Sequence, residues 1–231
     1  MSYIPTFISI FFMMITGLTV AIFYKATTPS KPTLIILLFW LAFQTVISIS
    51  GFYTDTDTMP PRVLLLLLPP LLFIVGIFIT SKGRHFVDTL NLKSITILHT
   101  IRIGVEMILY SLFVYKAVPQ LMTYEGRNFD ILAGLSAPLI FYFGFIKKQL
   151  SRNAILIWNF ICLGLLINIV LNAILSVPFP LQKFAFDQPN VAVLYFPFNL
   201  LPSVVVPIVL LSHLAAIRQL LKMGELKTTL R

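Results

Sequence analysis

Charge is what this chain has least of. Asp, Glu, Lys and Arg make up 11% of its 231 residues, against roughly a quarter in soluble globular domains, and the deficit excludes a soluble fold. Cysteine is scarce as well. Cys162 stands alone inside an apolar run, so no intrachain disulfide can form. The first 24 residues hold no Lys or Arg. A secretory signal peptide would lack its positive n-region there, so the first apolar segment is expected to be retained. Also missing are an HExxH pair, a histidine box, a CxxC pair and a glycine-rich phosphate loop.

What fills the chain is hydrocarbon, with 58% hydrophobic residues and a mean hydropathy of +0.94. A helix needs ~20 apolar residues to span a bilayer core. Seven segments approach that, at about 3–24, 32–52, 61–80, 94–117, 130–147, 153–176 and 193–217. The fold expected is an all-α polytopic bundle of seven transmembrane helices, forming one domain over 1–231. Twelve of the 17 Lys and Arg fall in the first, third and fifth connections and the tail. Those are Lys25, Lys31, Lys82, Arg84, Lys93, Lys147, Lys148, Arg152, Arg218, Lys222, Lys227 and Arg231. Arg62, Lys116, Arg127 and Lys183 occupy the alternate connections, beside four of the eight acids. The positive-inside rule then places the N-terminus outside and the C-terminus in the cytoplasm of a plasma (inner) membrane. The net charge of +9 is read as orientation; nucleic-acid binding is excluded because no basic stretch coincides with a soluble module.

Proline punctuates three segments: Pro69 and Pro70 in the third, Pro138 in the fifth, and Pro197, Pro202 and Pro207 in the seventh. Each removes a backbone donor and favours a kink, so the seventh segment is the best hinge candidate. The stretch 81–94 is expected to form a short interfacial helix with Phe86, Val87 and Leu90 on the membrane. His85 within it reads as a surface residue. The aromatic, proline-rich loop 177–190 is expected to lie at the interface or to cap the bundle.

The fourth segment carries the chemistry. At about 100° per residue, His99, Arg102, Glu106 and Tyr110 share a sector of roughly 80°. Leu98, Ile101, Val105, Ile108 and Leu112 lie opposite. Charge near a bilayer centre costs at least ~2.5–3.5 kcal/mol, so the stripe should face protein or water, where Arg102 and Glu106 can pair at i, i+4. From Glu106 near the midplane, Arg102 and His99 step roughly 6 and 10 Å toward the cytoplasm. His213 and Asn159 come out at a similar depth, which makes a cluster of His99, Arg102, Glu106, Tyr110, Asn159 and His213 the expected ligand-binding or proton-relay site. Glu125, Arg127, Asn128 and Asp130 form an expected external entrance, with Asp130 as an N-cap or first-turn acid. Asn168, Asn172 and Asn199 read singly as interhelical hydrogen bonds and together as a polar path toward Glu106. The structural alternative is a buried Arg–Glu pair that only fixes packing, but such pairs add little net stability.

Known intramembrane chemistries are tested by what they require. A microbial rhodopsin needs a lysine in the last helix, and the seventh segment has none. Gly134-Leu135-Ser136-Ala137 resembles the serine motif of rhomboid proteases. Ser136, however, should lie only ~9 Å inside the outer end of its segment, far from His213. The Glu-Glu-x-x-x-Arg motif of prenyl-endopeptidase-like membrane proteins is absent. For a metal site, His99 and Glu106 are seven residues apart with Arg102 between them to repel a cation. No cofactor, metal or catalytic residue is therefore assigned. The expected partners are the bilayer and a small molecule or ion. The expected function is binding and translocation of a small solute, with Glu106 as a titrating group. The alternatives are a seven-helix sensor with a cytoplasmic partner, or an intramembrane enzyme acting on lipid.

Overall fold

A computed structural model describes residues 3–229, with side chains as far as residue 224. Among those residues the chain is helical and contains no strand. Its helices are α1 (Thr6–Ala26), α2 (Lys31–Ile49), α3 (Leu64–Ile79), α4 (Ser81–Thr89), α5 (Leu92–Val114), α6 (Ile131–Ile146), α7 (Arg152–Ile174) and α8 (Leu201–Gly224). The last continues to Thr229.

Five of them, α1, α2, α5, α7 and α8, are long and apolar enough to cross a membrane. A sixth span results if α3 and α4, bent by 95° where they meet, are taken as one. The fifth expected segment corresponds to α6, which is shorter. Its length of about 24 Å at 1.5 Å per residue falls below a hydrocarbon core of about 30 Å. The reason lies in the preceding connection. After α5 the chain folds back through a short turn at Gln120–Met122, burying Met122, Thr123 and Asn128. It delivers Asp130 to Arg102, halfway along α5. Helix α6 therefore starts inside the bundle.

The centre of the bundle is α8, the most buried of the spans, which packs against α1, α2, α3, α4, α5 and α7. The basic connections gather at one end. The Asn91 amide donates to the Ala26 carbonyl at 2.8 Å, and Arg152 Nη1 donates to the Leu220 carbonyl at 3.2 Å. Arg231, counted with this end, lies outside the described residues, as do Met1 and Ser2.

Helix α4 forms as expected but turns its apolar side the other way. Val87 and Leu90 are buried against the bundle, because Gln219 of α8 donates to both of their carbonyls. Asp88 is held by Arg218 through two contacts of 2.8 and 3.2 Å and by Lys222 at 2.9 Å. His85 is exposed.

The prolines are accommodated by α2. Pro207 has no N–H to offer the Ser203 carbonyl, and Trp40 Nε1 donates to it instead at 2.7 Å. Pro69 leaves the Leu65 carbonyl free in the same way, and Gln44 Nε2 donates to it at 3.3 Å. Trp40 and Gln44 are i, i+4 on a helix that buries little else, so one polar stripe ties α2 to both kinked neighbours. Gln44 Oε1 also accepts from the buried Tyr53 hydroxyl at 2.6 Å. Burial pushes that phenol up to about 12, against the hydrogen bond, which lowers it. In the expected hinge, Pro197 precedes the helix, while Pro202 lies in a wide π turn at Leu201–Val205 that opens α8. The loop 177–190 caps the bundle: Phe179 is buried, and Gln188 donates to the Phe113 and Val118 carbonyls at the end of α5.

Candidate functional site

Helix α5 is irregular where its polar stripe begins. Around His99–Ile103 the amides bond three residues back: His99 to Thr96, Thr100 to Ile97, Arg102 to His99 and Ile103 to Thr100. This is a tightened turn between two α-helical stretches. It presents His99, Arg102 and Glu106 to the interior, each 1–2% exposed.

Arg102 is the hub. Its Nη1 lies 3.1 Å from Asp130 Oδ1, and its Nη2 contacts His213 Nε2 at 3.1 Å. The other ring nitrogen, Nδ1, is 2.9 Å from Asn159 Oδ1. Because Asn159 Nδ2 donates to the Ile155 carbonyl, its Oδ1 is an acceptor and His213 carries its proton on Nδ1. Nε2 then accepts from Arg102. A polar line runs from Arg102 through His213 and Asn159 to the Ile155 carbonyl, each hydrogen bond donated in that direction. It is extended on the other side of Arg102 by the ion contact with Asp130, with contributions from α5, α8, α7 and the start of α6.

Its neighbours are aromatic. His99 stacks on His213 with ring centroids 3.8 Å apart, and Trp158 meets His99 edge-on at 5.7 Å. His99 Nδ1 has no hydrogen-bond partner, so His99 packs beside the line rather than extending it. Of the two histidines, His213 is the one hydrogen-bonded to Arg102 and Asn159.

The expected Arg102–Glu106 pair is replaced. Glu106 Oε1 accepts from Asn128 Nδ2, while Oε2 is buried without a partner. Asn128 also donates to the Met122 carbonyl and accepts from the Asp130 amide, which locks the returning loop against Glu106. Asp130 occupies the N-cap position of α6 but makes no capping hydrogen bond, because its carboxylate turns to Arg102. The backbones must approach closely for this. A Cβ at Gly134 would lie 2.9 Å from the Ile103 amide nitrogen and 3.2 Å from Arg102 Cβ.

The two expected clusters are thus one at Asn128 and Asp130 and separate elsewhere. Glu125 and Arg127 stay exposed; the Arg127 guanidinium lies over the Phe184 ring. Tyr110 stacks on Tyr124 at 5.0 Å, away from Arg102. The asparagines do not form a path. Asn168 donates to the Arg127 carbonyl, Asn172 to Asn168, and Asn199 to the Gln44 carbonyl, all of them structural bonds. Ser136 of α6 faces α7. Its hydroxyl accepts from Trp158 Nε1 at 2.9 Å and donates to the Leu132 carbonyl, so Trp158 stands between it and the histidines. Among the described residues, no three His, Cys, Asp or Glu are grouped to hold a metal.

Beyond the acids lies a cavity of about 220 Å³ between α3, α5, α7 and α8. Its walls are aliphatic, including Leu66, Leu109, Leu166 and Ile169, and Glu106 and Asp130 are among the residues that line it. Neither the cavity nor Asn190, whose Oδ1 is a buried unpartnered acceptor in its wall, was expected from sequence.

Fold and site together define an all-helical protein with several apolar helices of membrane-spanning length and a buried ionisable cluster at its centre. The chain belongs to the family described as Domain of unknown function (DUF8737), whose model matches residues 60–221. That stretch holds every residue of the polar line, both acids and the whole cavity wall. No curated protein and no solved structure matches the chain.

Proposed function

We propose that this is an integral protein of the plasma (inner) membrane that binds and translocates a small solute at the site centred on Arg102 and Glu106. In this reading the chain crosses seven times, α6 making the short crossing and α4 lying along the cytoplasmic face, with the N-terminus outside. The observation that carries it is the polar line ending at the wall of an apolar cavity, where Glu106 keeps an unpartnered oxygen. Ionisable side chains at membrane depth are costly, and apolar packing holds helices together at least as well as a buried ion pair. A ligand site accounts for a charge left incompletely paired, which a packing role does not.

The hydrogen bonding of His213 favours translocation over catalysis by that histidine. Both nitrogens of His213 are engaged, which leaves it no free lone pair to serve as a base. The test is uptake into proteoliposomes together with ligand-induced thermal stabilisation. Glu106→Gln, which keeps an acceptor for Asn128, should abolish both while leaving the protein folded. Unchanged binding and uptake in that variant would refute the proposal.

A further inference from the structure

The cavity beside Glu106 has a chemical bias. Its volume of about 220 Å³ exceeds the ~150 Å³ that admits benzene in an engineered apolar cavity. Leu64 and Leu68 on its α3 wall are 40% and 48% exposed, so its mouth lies on the outward, lipid-facing side of the bundle. Two of its lining residues, Glu106 and Asn190, each carry a buried, unpartnered oxygen, Oε2 and Oδ1. Asp130 Oδ1 has only its ion contact with Arg102. Arg102 contacts Asp130, while the partner of Glu106 is the neutral Asn128.

We infer that the ligand is a single-chain amphiphile with a protonated amine head, which enters sideways from the bilayer and sets its head against Glu106 and Asp130. This rests on the binding site proposed above and names its ligand. An ammonium supplies donors and no acceptor, which matches the unpartnered oxygens. It also brings a positive charge to a carboxyl that Arg102 does not reach, in a dry site where charge-assisted hydrogen bonds are strong. The aliphatic walls take the tail. A fatty acid of the same length would bring a second acceptor and a like charge against Glu106.

Native mass spectrometry of the full chain released from detergent tests this with four probes: dodecylamine, dodecanol, dodecanoate and butylamine. Dodecylamine should bind one per chain. Glu106→Gln should weaken it by about thirtyfold or more, as for a charge losing its buried partner. Ala173→Phe, which fills the cavity and leaves the acids in place, should block it. Equal binding of dodecanoate or dodecanol, or amine binding indifferent to Glu106→Gln, would overturn the amine head. Butylamine binding as well as dodecylamine, and surviving Ala173→Phe, would overturn the amphiphile and leave the small-solute reading standing. Failure of all four probes to bind the folded wild type would overturn this inference alone; the broader proposal is then decided by uptake.

Discussion

At the residue scale, the charges of α5 announce themselves in the sequence, because Arg102 and Glu106 interrupt a run that is otherwise apolar. Their partners do not. Periodicity sees one helix at a time, and the i, i+4 spacing makes Glu106 the obvious companion of Arg102. In the fold the companion is Asp130, 28 positions away, brought there by a connection whose inward course leaves no mark in hydropathy. A double-mutant cycle on Arg102→Ala and Asp130→Asn should therefore show strong coupling in thermal stability, since breaking a buried pair costs about 3–5 kcal/mol. The cycle on Arg102 and Glu106 should show clearly less. Asn159→Leu should cost about 1–3 kcal/mol by leaving the His213 Nδ1 proton unpaired. An Asn159→Leu protein as stable as wild type would remove the polar line as a continuous element.

At the element scale, the helices and most of their limits were legible, since 20 apolar residues admit few other structures in a bilayer. The depth of α6 was not. It depends on Gly134, where a side chain would strike the α5 backbone, and a lone glycine in an apolar segment has many possible reasons. Gly134→Val should push α6 outward and loosen Asp130 from Arg102, seen as faster amide exchange over residues 128–134. The compensation of prolines by α2 was equally hidden, because Trp40 and Gln44 are ordinary membrane-helix residues until their neighbours are known. Trp40→Phe should destabilise by about 1–3 kcal/mol by orphaning the Ser203 carbonyl. Helix α4 gives a pH prediction. The Arg218 hydrogen bond, with Lys222 beside it, holds the Asp88 carboxyl below its ordinary value despite some opposing desolvation. The clasp therefore contributes fully above the unfolded carboxylate range and is lost as pH falls through the lowered folded value. Amide exchange over 81–89 should accelerate in that acid window and with added salt, and Asp88→Asn should abolish the pH dependence.

At the scale of the whole molecule, charge asymmetry and fold agree on one point: the ends of α1, α4, α7 and α8 that carry the basic residues meet at one end of the bundle. If that end is cytoplasmic, a cysteine at Lys82 should react with an impermeant maleimide only from inside, and one at Asp187 only from outside. The native Cys162 is buried and contributes little background. The same view explains why a polar centre sits where it does. Four elements converge on Arg102, and the cavity beside them is lined by α3, α5, α7 and α8, so whatever binds there also bears on the packing of those helices. The most direct test of this account is the melting temperature of purified wild type and Glu106→Gln across a panel of amines, alcohols and acids of varied chain length. A ligand that binds the native state alone raises it by mass action. The account predicts stabilisation of wild type by a long-chain amine and none in the folded Glu106→Gln protein. Equal stabilisation of both proteins by the same compound would contradict it.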